Sequence, residues 1–256
     1  MNDTPLDQAH SAAEASGEPA DRLAFWSRLA EAELSLWLDG DADADGVTPY
    51  LFDLEGGTYA LAFDRADRLA AFAGAEAATA TLSGRMLAGL LSDQGLGLGL
   101  NLGDAPSAQL IEADALAWLV DTLSSGPAEE AATIETITPP GDLPDALLRA
   151  LDGKLGAMAG LARSAYLAGA VYDGGTRAHL MAFVDPVDGA EGALARAVSD
   201  ALALSGLEAG TLDVTFVAAS NPLAGALARH GLRIELPEVA KGVTIEMRDD
   251  APPRLR

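Results

Sequence analysis

Apolar residues recur at spacings of three and four through Leu23, Trp26, Ala30, Leu34 and Trp37. That is the period of an amphipathic helix, with Arg28, Glu31 and Ser35 on the far face, and the helix is expected to end at the acidic stretch DGDADADG. Beyond it the period shortens. PYLFDL and TYALAF are short apolar and aromatic runs parted by Glu55, Gly56 and Gly57, which predicts a hairpin whose glycines accept the positive φ of a tight turn. Helical patterns over 64–73 and 83–92 then alternate with strand-like runs at 77–82 and 96–102, and a further helix is expected over 108–123. Residues 1–18 carry little apolar surface and read as a disordered acidic tail, so a first lobe spans 19–123.

The stretch SSGPAEEAATIETITPPGD is rich in Ser, Pro, Gly and acid and reads as a linker over 124–142, although the alternation in TIETIT also suits an edge strand. A second lobe follows over 143–247, with a tail at 248–256. Asp142 is placed to cap a helix whose apolar stripe is Leu147, Leu151, Leu155 and Met158, with Pro144 in the first turn. Strands at 163–172 and 177–184 are joined by Asp173, Gly174 and Gly175, the strongest hairpin signal in the chain. A helix at 189–204 opens with the capping-box-like pair Asp188 and Glu191, and a strand at 212–218 comes after it. A last helix, capped by Ser220 and stopped by Gly231, leads to a short strand near 232–236. With TIETIT counted, the order is βαββαβ. The expected class is therefore α+β, two lobes of mixed sheet and helices, the C-terminal one ferredoxin-like.

Composition narrows the functions. The chain has 256 residues, 49% of them apolar, enough to bury a sizeable core. A net charge of -23, with no compact basic stripe, repels a phosphate backbone or an anionic lipid surface, so neither nucleic acid nor membrane is an expected partner. The carboxylates are scattered, which suits solubility, or a salty interior, better than mimicry of a nucleic acid. Cysteine is absent, which excludes disulfides, thiolate nucleophiles, persulfide chemistry and Cys-ligated metal. The N-terminal segment lacks a basic and apolar signal, and no apolar run reaches membrane length, so a cytoplasmic protein is expected.

The motifs that suggest chemistry fail at named positions. Asp41, Asp43, Asp45 and Gly46 imitate the first half of a calcium loop, but Phe52 stands where a bidentate glutamate is needed. In Gly95-Leu-Gly97-Leu-Gly99-Leu-Asn101 the glycines lie two apart, the wrong spacing for a nucleotide loop, and no P-loop lysine follows. Glycine at every second position suits a strand with one face closely approached by its neighbours. His10, His179 and His230 are too dispersed to hold a metal; His179 shares a strand face with Arg177, Met181 and Phe183, either a sheet surface open to a ligand or an ordinary half-exposed histidine. No cofactor and no metal is expected.

The order of segments from PYLFDLEGGTYALAFDRADRLAAFAG through ATLSGRMLAGLL to GLGLGLNLGDAPSAQLIEADALAWL resembles the N-terminal domain of the SseB family, the enhanced serine sensitivity proteins. LPDALLRALDGKLGAMAGLARSAYLAGA with its following hairpin resembles that family's C-terminal domain. Ser83 to Arg85 and the pair Leu100-Asn101 are the most specific matches, and Leu102 departs from the proline expected there. The resemblance implies no assigned reaction and no catalytic residues. It points to a non-catalytic interaction or regulatory module linked to serine sensitivity, binding an unknown protein partner or a small molecule.

The alternative is a small-molecule, amino-acid sensor with a ferredoxin-like ligand-binding lobe. An enzyme has the least support, since Ser83 beside Arg85 lacks a general base, and Ser83, where a helix begins after the strand at 77–82, better suits that helix's N-cap. Ser83, Arg85 and Asn101 are the candidate binding residues.

Overall fold

The structure, a computed structural model, describes residues 3–40, 48–54, 56–75, 77–124, 132–156, 158–205 and 212–236. It is an α+β protein with two mixed sheets, each forming the centre of one lobe. The acidic calcium-like loop and the 248–256 tail lie outside the described residues.

The first helix, α1 (Pro5–Ser16), lies where a disordered tail was expected. Its local signals are strong. Thr4 caps it and Asp7 completes a capping box, Pro5 fits the first turn, and Gly17 closes it in the left-handed conformation. Leu6 and Ala13 then bury themselves in the core of the first lobe, which provides the apolar burial the segment's composition had seemed to lack.

The expected helix through Trp37 is also corrected. α2 (Pro19–Glu31) ends early, and β1 (Glu33–Trp37) takes over. Leu34, Leu36 and Leu38 are all buried on one face while Ser35 and Trp37 turn to the other, a period of two that fits a strand. Pairing on both sides, with β3 (Gly57–Phe63) and with β4 (Thr79–Ser83), fixes the choice. The hairpin of β2 (Leu51–Leu54) and β3 forms as expected. The rest of the lobe is α3 (Ala66–Ala73), α4 (Gly84–Ser92), β5 (Gly97–Leu100), β6 (Gln109–Ile111) and α5 (Ala113–Ser124), so the region expected as one helix over 108–123 begins as a strand.

The sheet order is β4-β1-β3-β5-β6, with β2 also paired to β3. Helices α2, α4 and α5 cover one face, burying Phe25, Leu29, Leu87, Leu91, Leu116 and Leu119. Each such side chain contributes roughly 1.5–3 kcal/mol by leaving water. On the other face the alternating glycines have a clear role. A Cβ at Gly97 would lie 2.4 Å from the Tyr59 ring, and one at Gly99 would lie 2.4 Å from Leu61, so neighbouring side chains occupy the space glycine leaves.

In the second lobe TIETIT becomes β7 (Ile134–Thr138), paired with β8 (Ala162–Tyr172), so part of the expected linker is sheet. α6 (Asp145–Gly156) starts after Pro144 rather than at a cap on Asp142, and buries Leu147, Leu151 and Leu155. β8 and β9 (Arg177–Pro186) form the long hairpin around Gly174 and Gly175, both in the positive-φ conformation. α7 (Glu191–Ala203) has Ala190 at its N-cap without a side-chain bond, so the Asp188 capping box does not form. β10 (Leu212–Val217), α8 (Pro222–His230) and β11 (Leu232–Ile234) complete the lobe, with Asn221 rather than Ser220 capping α8.

The strand order corrects the ferredoxin-like expectation. A split βαβ unit inserts a strand between the two that its helix connects. Here β9 and β10, joined by α7, are direct parallel neighbours, and β7 and β8, joined by α6, are direct antiparallel neighbours. The sheet runs β10-β9-β8-β11, with β7 sharing the β8 edge.

Helices α6 and α7 cover one face of this sheet and α8 the other. The lobes meet through helices: α5 packs on α7, and Leu204 just beyond α7 joins the core of the first lobe.

Candidate functional site

The three candidate residues from the sequence do not converge. Ser83 ends β4 and caps α4, its hydroxyl accepting the Met86 N–H at 3.3 Å. Such a cap is worth about 1 kcal/mol. Arg85, the second residue of α4, bridges the lobes: its guanidinium pairs with the carboxylate of Asp200 on α7, and its Nη1 donates to the Leu123 carbonyl of α5 at 3.4 Å.

Asn101 is buried at the end of β5 with φ 46, a conformation asparagine tolerates better than most side chains. Its Oδ1 accepts the Asp64 N–H at 2.9 Å and its Nδ2 donates to Ser107 Oγ at 2.8 Å. Ser107 in turn donates to Asp7 Oδ1 at 2.6 Å from its hydroxyl and 3.2 Å from its backbone N–H. Arg68 of α3 bonds both Asp7 and Asp64, the latter at 2.9 Å. Thr4 closes the ring, its N–H donating to Asp7 at 2.8 Å and its hydroxyl to Asp64 at 2.6 Å.

Burial by itself would raise the Asp7 pKa, but the hydrogen bonds from Arg68, Ser107 and Thr4 outweigh it and hold the carboxyl well below the usual range. A carboxylate so saturated with donors is a poor proton acceptor near neutral pH. The network is a clasp between α1, α3 and the ends of β3 and β5. Sequence inspection found Asn101 but not Asp7, Asp64, Arg68 or Ser107; the Thr4-Pro5-Leu6-Asp7 capping signature was the available clue to one of them.

His179 lies beside Met181 and Phe183 on the face that α6 and α7 cover, so that face is not an open ligand surface. Among the described residues no group of three or more His, Asp or Glu stands together to hold a metal. No helix among them is long and apolar enough to cross a membrane.

Two other features are open to solvent. On the face of the first sheet opposite α2, α4 and α5, Trp37 stacks on Tyr50 with ring centroids 4.7 Å apart, Phe52 leans on both, and Phe72 of α3 meets Trp37 edge-on at 6.3 Å. Tyr50 is 38% exposed and Phe72 is 41% exposed, while Trp37 and Phe52 are half-buried against the small core of Leu61, Phe63 and Leu69, so the aromatic group anchors in core and opens to solvent at Tyr50 and Phe72. The strands that carry it are joined by the acidic stretch containing Asp39, Asp41, Asp43 and Asp45.

The second feature is a cleft of ≈ 180 Å³ at the lobe junction, lined among others by Asp21, Arg28, Glu31, Arg149, Lys154 and Ser205. Lys154 is buried there and pairs with Glu31 of the other lobe at 2.6 Å, while Arg28 reaches the same glutamate at 3.4 Å. Positive and negative side chains thus face one small space between two lobes, a common position for ligand sites. No protein-family model, curated protein or solved structure matches this chain.

Proposed function

We propose that this chain is a cytoplasmic, non-catalytic interaction or regulatory module of the SseB kind, engaging a basic protein partner through the aromatic patch of its first lobe. The patch of Trp37, Tyr50, Phe52 and Phe72 carries this reading. The exposed pair Tyr50 and Phe72, backed by Trp37 and Phe52, has the composition of interface centres, and aromatic faces attract arginine and lysine. The net charge of -23 selects for a basic surface and against nucleic acid. The dispersal of Ser83, Arg85 and Asn101 into separate structural contacts adds to the non-catalytic reading.

Affinity capture with the full chain, compared with a Tyr50→Ser/Phe72→Ser variant, tests it. The expected result is a stoichiometric basic partner retained by the unaltered chain and lost by the folded variant. Equal capture by both, or a strictly monomeric chain with no partner, overturns it.

A second reading, an amino-acid sensor, is favoured by the lobe-junction cleft, where Arg149 and Arg28 suit an α-carboxylate and Asp21 an α-ammonium. Calorimetric titration with serine and related amino acids decides it: saturable heat supports the sensor, and no heat with no shift in melting temperature removes it.

A further inference from the structure

The second lobe holds a cleft separate from both features. It opens between the start of α8 and the sheet where β8 meets β11, has a volume of ≈ 400 Å³, and is lined by residues that include Arg163, Ser164, Tyr166, Val184, Gly225 and Arg233. Small-molecule sites commonly have volumes of roughly 300–1,000 Å³.

Register explains how these side chains assemble. Arg233 pairs with Tyr166 across β11 and β8, and Ser164 pairs with Val184 across β8 and β9, so all four stand on the sheet face that α8 covers. Ala224 and Leu227 of α8 fill the middle of that face, and the cleft is the portion they leave uncovered.

Ser164 on its floor has only 9% exposure as a residue, yet its hydroxyl is not among the fully buried unpartnered polar atoms and, with no hydrogen-bond partner among the described residues, it is accessible from the cleft.

The charge of the cleft is opposite to that of the protein. Arg163 and Arg233 line it, and the Arg229 guanidinium lies 3.7 Å from the Cβ position at Gly225. Asp185 reaches Arg163 at 3.5 Å while its other oxygen accepts the Ala219 N–H at 2.7 Å. Among the described residues Arg229 and Arg233 have no carboxylate within ion-pair distance. The positive end of the α8 dipole adds to this field.

We propose that this cleft is an oxyanion site, taking the phosphate or carboxylate group of a small metabolite between Arg163 and Arg233, with the Ser164 hydroxyl donating to it. Arginine's planar fork suits either group, and displacement of the loose Asp185 contact frees Arg163 to turn inward.

Calorimetric titration of the full chain at low ionic strength, with inorganic phosphate in one arm and succinate in the other, tests the site and separates the two sources. Saturable binding that weakens at least about tenfold in the Arg163→Ala/Arg233→Ala variant is expected, as two charge-assisted contacts are lost. Phosphate alone binding assigns a phosphate ester, succinate alone a carboxylate. Absence of saturable binding of either up to about 10 mM, where only screening remains, overturns the proposal. Equal affinity in the folded double variant does so too. Amide shifts of the unaltered chain give a readout independent of variant folding: they should move at Ser164 and Gly225, and movement confined elsewhere rejects the site.

Discussion

Arg68 of α3 holds Asp7 of α1 in a buried ion pair, joining residues 61 positions apart in the chain. Through it the first helix becomes part of the first lobe. Replacing Asp7 by Ala leaves Arg68 short of a partner in a site with almost no solvent. The expected cost is about 3 kcal/mol or more, read as a lower urea midpoint with an unchanged slope.

The same carboxylate gives a pH dependence of known sign. The Asp7 pKa is depressed in the folded chain, where the hydrogen bonds from Arg68, Ser107 and Thr4 outweigh the opposing effect of burial. A depressed folded value means that its stabilisation is fully present above the unfolded carboxylate pKa of about 3.9 and is lost as pH falls below it. Urea unfolding between neutral pH and pH ~3 should show this loss, and Asp7→Asn should flatten it.

The ion pair of Arg85 and Asp200 is a strut between the lobes. Arg85 is partly open to solvent, with 34% side-chain exposure, so screening limits its worth. Arg85→Met should cost about 1 kcal/mol in global stability but loosen the junction measurably. Faster hydrogen exchange where α5 meets α7, with little change in either sheet, is the expected signature.

Gly97 lies beneath the Tyr59 ring, and an added Cβ would also come within 2.9 Å of the Ile111 carbonyl. Gly97→Ala should destabilise by about 1–3 kcal/mol through overpacking. Tyr59→Leu on that background should recover part of the loss, and thermal melts of the three variants would show it.

The elements that could be read from the sequence are those whose signals are local. Gly174 and Gly175 mark their hairpin because few other residues accept that backbone, and Leu147, Leu151 and Leu155 mark α6 because one buried face imposes a 3.6-residue period. The glycine alternation at 97 and 99 likewise revealed a strand with little space on one face. In contrast, Ala30, Leu34 and Trp37 satisfy a helical spacing and lie across a helix and a strand, since pairing with β3 and β4 outweighs the period of a few residues.

Of the candidate residues, Ser83 was legible as a cap because it bonds three positions away. Arg85 and Asn101 were not, because their partners lie in other elements.

By itself the sequence determined an acidic, cysteine-free α+β chain of two lobes, since charge, composition and local period are properties of the chain. Only the tertiary structure decided that the first helix is clasped by Asp7, Arg68 and Asp64, that the second sheet departs from the ferredoxin-like order, and that Arg163 and Arg233 line one cleft. These depend on which faces pack together, and packing joins residues whose separation along the chain carries no local signal.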